Sequence, residues 1–237
     1  MGSKAFQFKK FSVSQESATH KVGTDGVLLG AWVNIRKGDN FVLDVGTGSG
    51  LIALMLAQRA KPDARIDAVE IEADDVKQAR ENVARSPWPE KVSIHHSPIQ
   101  QFSSETKYNL ISSNPPYFAN SQTPPDKKRS RARHAYQLSF PDLLESTTRL
   151  LTKTGRLAVI LPYSEGLHFI NLARGFKLFP IRKTLFRSRA TKPVKRLLLE
   201  LDFQGSPHSE SEIILHAHGE RWSEEYKSLT RDFYLNI

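Results

Sequence analysis

The chain has 237 residues, no cysteine and a formal net charge of +9, with a pI near 9.7. That length fits one α/β domain with its own core. The missing cysteine excludes disulfides and thiolate metal sites, no apolar run reaches membrane-spanning length, and residues 1–20 lack an apolar signal segment, so a cytoplasmic protein is expected.

In chain order, Phe6 to Val13 alternates partly between aromatic and polar residues. It reads as a strand or hairpin arm whose phenylalanines belong to the core. Residues 20–33 read as a polar, glycine-containing loop entering a short helix, with Thr24 or Asp25 as its N-cap. Lying just before the first sheet strand, this loop is a candidate wall for a ligand.

A strand over 40–45 then meets Asp44-Val45-Gly46-Thr47-Gly48-Ser49-Gly50, followed by a helix over 51–60. This is the pattern of a buried strand, a tight glycine turn and a helix N-terminus. Gly46, Gly48 and Gly50 permit positive φ and close approach of a ligand. The Gly-x-Gly-x-Gly spacing differs from the Gly-x-Gly-x-x-Gly of a dinucleotide site. With Asp44 at the turn, it suits a ligand that joins a nucleoside to an amino acid, S-adenosylmethionine (SAM). A packing-only turn is the competing reading. The second strand, 65–70, ends on Glu70, an acid placed to accept both ribose hydroxyls of a nucleoside.

A helix over 73–85, a strand over 91–95, the loop Ser97 to Gln101 and a strand over 108–113 come next. The alternation predicts an α/β fold, a doubly wound, mostly parallel sheet whose ligand sits at the C-terminal strand ends. The fourth strand runs into Asn114-Pro115-Pro116-Tyr117. Two prolines fix the backbone and remove two N–H donors. The Asn114 side chain and the Pro115 carbonyl remain as acceptors beside an aromatic plate, Tyr117. A planar exocyclic amine needs this arrangement. Two acceptors on its hydrogens orient it for attack on a methyl group, and the aromatic ring stacks on its plane. The competing reading is a proline-rich strand-end turn.

Residues 119–135 read as a basic loop. A helix over 138–151, a strand over 156–161 and a helix over 164–174 follow, then strands over 176–187 and 194–203. The last two have no helix between them and predict an antiparallel C-terminal hairpin at the edge of a seven-stranded sheet. The tail holds an apolar run, Ile213 to Leu215, and a helix over 222–233. The positive charge is concentrated. Lys127, Lys128, Arg129, Arg131 and Arg133 fall within seven residues, and Arg182, Lys183, Arg187, Arg189, Lys192, Lys195 and Arg196 occur with no acid between Ile181 and Leu199. Two such clusters on a mildly acidic remainder read as a polyanion footprint, with Lys127, Lys128, Arg129, Arg131, Arg133, Arg187, Arg189 and Lys192 as candidate RNA contacts. The eight histidines form no metal-ligand spacing.

Together these stretches resemble Rossmann-like SAM-dependent methyltransferases of the branch that modifies planar amino groups. They resemble more closely the bacterial family that N6-methylates the adenine next to the anticodon, position 37, of valine tRNA. The residues that carry this are Lys21 to Trp32, Ser113 to Phe118, Arg131 to His134 and Leu229 to Leu235. The resemblance implies one methyltransferase domain over 1–237, with an N-terminal arm of about 1–35 completing the cofactor site. It implies tRNA as partner and catalysis by Asn114, Pro115 and Tyr117; the oligomeric state stays open, with a monomer favoured. It also implies cofactor binding by Thr24, Asp25, Asp44, Gly46, Thr47, Gly48, Gly50, Glu70, Ile71, Pro98, Ile99 and Asn114. Pro98 departs from the family pattern, which has an Asp there that bonds the cofactor adenine. Two alternatives stay open: a glutamine methyltransferase acting on a protein such as a release factor, and an inactive RNA-binding module on the same fold.

Overall fold

A computed structural model describes residues 5–16, 19, 21–116, 138–205 and 209–236. The chain opens with a two-stranded antiparallel ribbon, β1 (Phe6–Gln7) and β2 (Ser12–Val13), followed by α1 (Thr24–Trp32). Helix α1 is apolar almost all round and is buried from Gly26 to Trp32, as a core helix should be. Its N-cap is Gly23, with no side-chain cap, so Thr24 and Asp25 sit in the first turn rather than at the cap position.

The doubly wound half contains β3 (Phe41–Val45), α2 (Leu51–Arg59), β4 (Arg65–Glu70), α3 (Ala73–Ala84), β5 (Val92–His96) and β6 (Tyr108–Ser113). Beyond residues 117–137, which lie outside the described residues, come α4 (Phe140–Leu150), β7 (Leu151–Pro162), α5 (Tyr163–Gly175), β8 (Phe179–Arg187), β9 (Arg196–Asp202) and β10 (Ser209–Ile214). A small ribbon of β11 (His216–His218) and β12 (Arg221–Trp222) and a last helix, α6 (Glu224–Thr230), end the chain.

The main sheet has the order β10-β8-β9-β7-β6-β3-β4-β5. It is parallel except at β9, which runs antiparallel to both neighbours. The sheet therefore has eight strands, not the expected seven. The β8–β9 hairpin forms as expected, but β10 pairs in parallel outside β8 and takes the edge position. From β3 the chain winds one way to β4 and β5, then returns to the other side as β6. That reversal opens a crevice at the C-terminal ends of β3 and β6, where a ligand has room.

Two cores flank the sheet, one under α1, α2 and the terminal ribbon, the other under α4 and α5. Phe8 and Phe11 are buried in the first, so the aromatic residues of the arm are core. The Lys9 N–H donates to the Phe233 carbonyl at 2.7 Å and the Phe8 ring stacks on Tyr234, which fastens the arm to the C-terminal segment. The fully buried Arg156 guanidinium makes a two-pronged ion pair with Asp39, with Nη1–Oδ1 at 3.0 Å and Nη2–Oδ2 at 2.7 Å, and also bonds the Asn34 carbonyl. This pins the segment before β3 to the middle of the long strand β7. No helix among the described residues is long and apolar enough to cross a membrane.

Candidate active site

A cavity of about 1090 Å³ lies at the C-terminal ends of β3, β4 and β6. The segment 21–26 walls one side, and the glycine turn, Glu70 to Glu72, Ser97 to Gln100 and Asn114 to Pro116 form the others. Thr24, Asp25, Gly46, Thr47, Gly48, Glu70, Ile71, Pro98, Ile99, Asn114 and Pro115 all line it.

The turn is built by hydrogen bonds rather than by side-chain packing. The Gly46 and Thr47 N–H groups donate to the Val69 carbonyl at 2.9 and 3.2 Å, tying the turn to β4. Gly46 and Gly48 take φ of +70° and +54°, which glycine adopts without steric cost. A Cβ built on either would meet no protein atom within 4 Å, so the cradle faces open space. Gly50 (φ +85°) does not line the cavity; it caps α2, and its N–H closes the turn onto the Thr47 carbonyl at 2.9 Å.

Asp44 also lies behind the wall, not in it. It has no exposed surface, and its carboxylate accepts from Thr47 Oγ1 at 2.6 Å and Ser112 Oγ at 2.8 Å. Sequence reasoning placed it on the ligand; the structure makes it the post that holds Thr47 and the end of β6. Burial pushes its carboxyl up from 3.8 to about 6, against the lowering effect of these hydrogen bonds. The neutral form is favoured in the folded state, so this contribution to stability is full below about pH 4. It fades as the pH rises through 6, for a total of about 3 kcal/mol. In Asp44→Asn, stability relative to the parent should therefore improve between pH 4 and pH 7 by up to about that amount. Thermal unfolding at the two pH values tests this, and a pH-independent difference would show that another group titrates.

Glu70 is nearly buried at the end of β4. Its Oε1 accepts from the Ile71 and Glu72 N–H groups at 2.7 and 3.0 Å, and Oε2 accepts from Gly48 N–H at 2.8 Å. These bonds fix the carboxylate and join the turn to the second strand.

Asn114 follows β6 directly. Its Oδ1 is buried without a hydrogen-bond partner among the described residues. A buried acceptor left open costs free energy unless something fills it. Tyr117, Lys127, Lys128, Arg129, Arg131 and Arg133 lie outside the described residues.

Sequence reasoning missed three contributors. Arg196, at the start of β9, lines the cavity and pairs with Asp25 through Nε at 2.7 Å, across 171 positions. Ser112 holds Asp44 from β6. The buried Asn82 side chain donates to the Ser14 and Ser49 carbonyls, both at 2.9 Å, and accepts from the Ser14 N–H at 2.9 Å, so one amide joins the arm to the glycine turn. No local pattern marks any of the three, because each partner is remote in sequence.

The cations of the basic strand pair have internal partners that their sequence neighbourhood does not show. Arg187 pairs with Glu212 at 2.5 Å and Arg189 with Glu220 at 2.6 Å, while Lys183 pairs with Glu210 at 2.7 Å. The acids of β10 and of the turn after β11 answer these cations internally. Arg187 and Arg189 thus hold the tail, while Lys192 and Lys195 stay exposed with no ion pair to an acid described.

The methyltransferase small domain family matches residues 26–179. The tRNA1(Val) (adenine(37)-N6)-methyltransferase of Parabacteroides distasonis is 43% identical, over all of both chains. That of Trichodesmium erythraeum is 42% identical over 99% of each. Among solved structures, a predicted O-methyltransferase from Agrobacterium tumefaciens shares the fold at a TM-score of 0.67 and 16% identity, covering 90% of this chain and all of that one. A putative RNA methyltransferase from Pyrococcus horikoshii does so at 0.53 and 12%, over 77% and 82% of the two chains. A glycine cradle, an acid closing β4 and an open acceptor after β6 thus stand in a chain that matches the two tRNA1(Val) relatives over 99–100% of its length: it belongs to the methyltransferase small domain family and, within it, to the tRNA1(Val) (adenine(37)-N6)-methyltransferases.

Proposed function

We propose that the protein transfers a methyl group from SAM to N6 of an adenine in tRNA, adenine 37 of valine tRNA. The observation that carries this reading is the open, buried Asn114 Oδ1 at the edge of the cavity. The cavity fits the cofactor: the cradle over Gly46 and Gly48 is free of protein atoms, and the fixed Glu70 carboxylate keeps acceptor capacity for a ribose hydroxyl. When bound, SAM supplies an electrophilic methyl carbon on a sulfonium sulfur.

Asn114 Oδ1 and the Pro115 carbonyl accept the two hydrogens of the adenine amino group and aim its nitrogen. The amine lone pair is delocalised into the ring, so the acceptors favour the pyramidal geometry of attack, and the proton released leaves to water. Positioning and electrostatics supply the rate, with no strong base required. Tyr117 is the aromatic plate for the base in this reading. Asp44 and Glu70 act on the turn and the cofactor, not on the amine.

Incubation with labelled SAM and, in parallel reactions, unmodified total tRNA or a purified release factor tests the proposal: label in N6-methyladenosine of the tRNA is expected. Label in a release factor and none in tRNA would move the protein to the glutamine-methylating class. Gly46→Ala probes the cradle. The new Cβ meets no protein atom, and the strain of positive φ is about 1–2 kcal/mol, so the fold should survive. SAM affinity measured by calorimetry should fall at least about tenfold, since the methyl group displaces the ligand from its closest backbone contact. Unchanged affinity would place the cofactor elsewhere.

A further inference from the structure

We infer that Tyr163 and Leu167, with Lys195 beside them, form a stacking platform for an unpaired nucleotide next to the target base. The inference rests on the reading of the protein as a tRNA methyltransferase and adds a contact surface to it.

Tyr163 begins α5, directly after β7, on the same edge of the sheet as the cavity. Its exposure is 39%, and that of Leu167, one turn on, is 42%; apolar side chains this large are otherwise exposed among the described residues only at Phe179 and Leu235. The position is anchored to β9. The Tyr163 N–H donates to the Lys195 carbonyl at 3.2 Å. Gly166 lies so close to β9 that a Cβ there would stand 2.8 Å from the Leu197 side chain. The helix is thereby seated on its glycine side, and its Tyr163–Leu167 side faces outward.

The platform is continuous with the cavity. Pro162 pairs in register with Arg196, which lines the cavity wall, and Lys195 and Tyr163 are the next residues outward on the two strands. On the other side, Ser113 pairs with Val159, so Asn114 stands alongside Ile160, three residues before Tyr163. At about 3.3 Å per residue, the ring lies roughly 10 Å further along the strand direction. That suits a neighbour of the target base rather than the base itself.

The charge agrees with the occupant. Lys192 and Lys195 are exposed and carry no ion pair to an acid among the described residues, whereas Arg187 and Arg189 are engaged. An exposed aromatic ring next to an exposed lysine is a composition that binds single-stranded nucleic acid by stacking and phosphate contact.

The test uses the full chain with an unmodified valine tRNA transcript and, separately, a fully paired RNA duplex of similar length. Tyr163→Ala should raise the tRNA Kd about five- to a hundredfold with SAM affinity unchanged, and Tyr163→Phe, which keeps the ring, should stay near the parent. Tyr163→Trp adds a reporter whose emission should be quenched by the tRNA and not by the duplex. Lys195→Ala should lower the log–log salt slope of tRNA binding by about 0.7–0.9. If the parent methylates tRNA while Tyr163→Ala binds it as tightly, or if the duplex quenches equally, the platform is overturned and the proposed function stands. If the parent neither binds nor methylates tRNA, both fall.

Discussion

Asn114→Ala should lower turnover by two to three orders of magnitude at saturating tRNA while leaving SAM affinity within a factor of a few. Losing one preorganised polar partner of a transition state has that size in enzymes. The Asn114 Oδ1 atom is buried and open, so truncation removes an acceptor without breaking any described side-chain hydrogen bond to it. The fold should therefore hold, and the deficit should appear in kcat more than in KM, as for an interaction made chiefly in the transition state. Asn114→Asp retains an acceptor and should keep more activity than the alanine variant. Single-turnover rates and calorimetry on the same preparations decide the matter. Parallel losses of cofactor binding and rate would make Asn114 a cofactor residue instead.

Asp39→Ala should cost about 3–5 kcal/mol of stability, the usual penalty for stripping one partner from a buried ion pair. Arg156 has no exposed surface, and after the change its guanidinium would keep only the Asn34 carbonyl among its described partners. Its Nε is already without a partner. At ~2–4 °C per kcal/mol for a chain of this size, the melting temperature should drop by roughly 6–20 °C. Replacing both residues, as Asp39→Leu with Arg156→Met, should recover most of the loss because no buried charge remains. A drop of a degree or two for the single variant would mean that water reaches the site.

The parts of the fold visible in the sequence are those whose signal is local. Phe41 to Val45 and its glycine turn, Glu70 closing β4, and Asn114 after β6 each follow from composition and spacing within a few residues. Strand β10 was not visible. Ser-Glu-Ser-Glu-Ile-Ile carries little apolar content, and it becomes a strand because β8 offers a ladder and Lys183 and Arg187 meet its two acids. The same pairing shows what charge counting leaves out: it reveals the sign of a cluster, but Glu212 and Glu220, which pair with Arg187 and Arg189, sit 25 and 31 positions away. Asp44 adjoins the turn, and its local sequence gives it the look of a ligand residue. Only three dimensions show Ser112, 68 positions away, taking one of its oxygens.

The Asn82 amide carries a consequence for how the protein responds to its cofactor. That one side chain grips both Ser14 and the Ser49 carbonyl, so loosening of the terminal arm is expected to be felt at the glycine turn. Coupling of this kind is reciprocal. Whatever factor SAM adds to the protection of the Ser14 amide against deuterium exchange is the factor by which a secured arm tightens SAM, so the first strands of the chain act as a reporter of occupancy some 35 positions away in sequence.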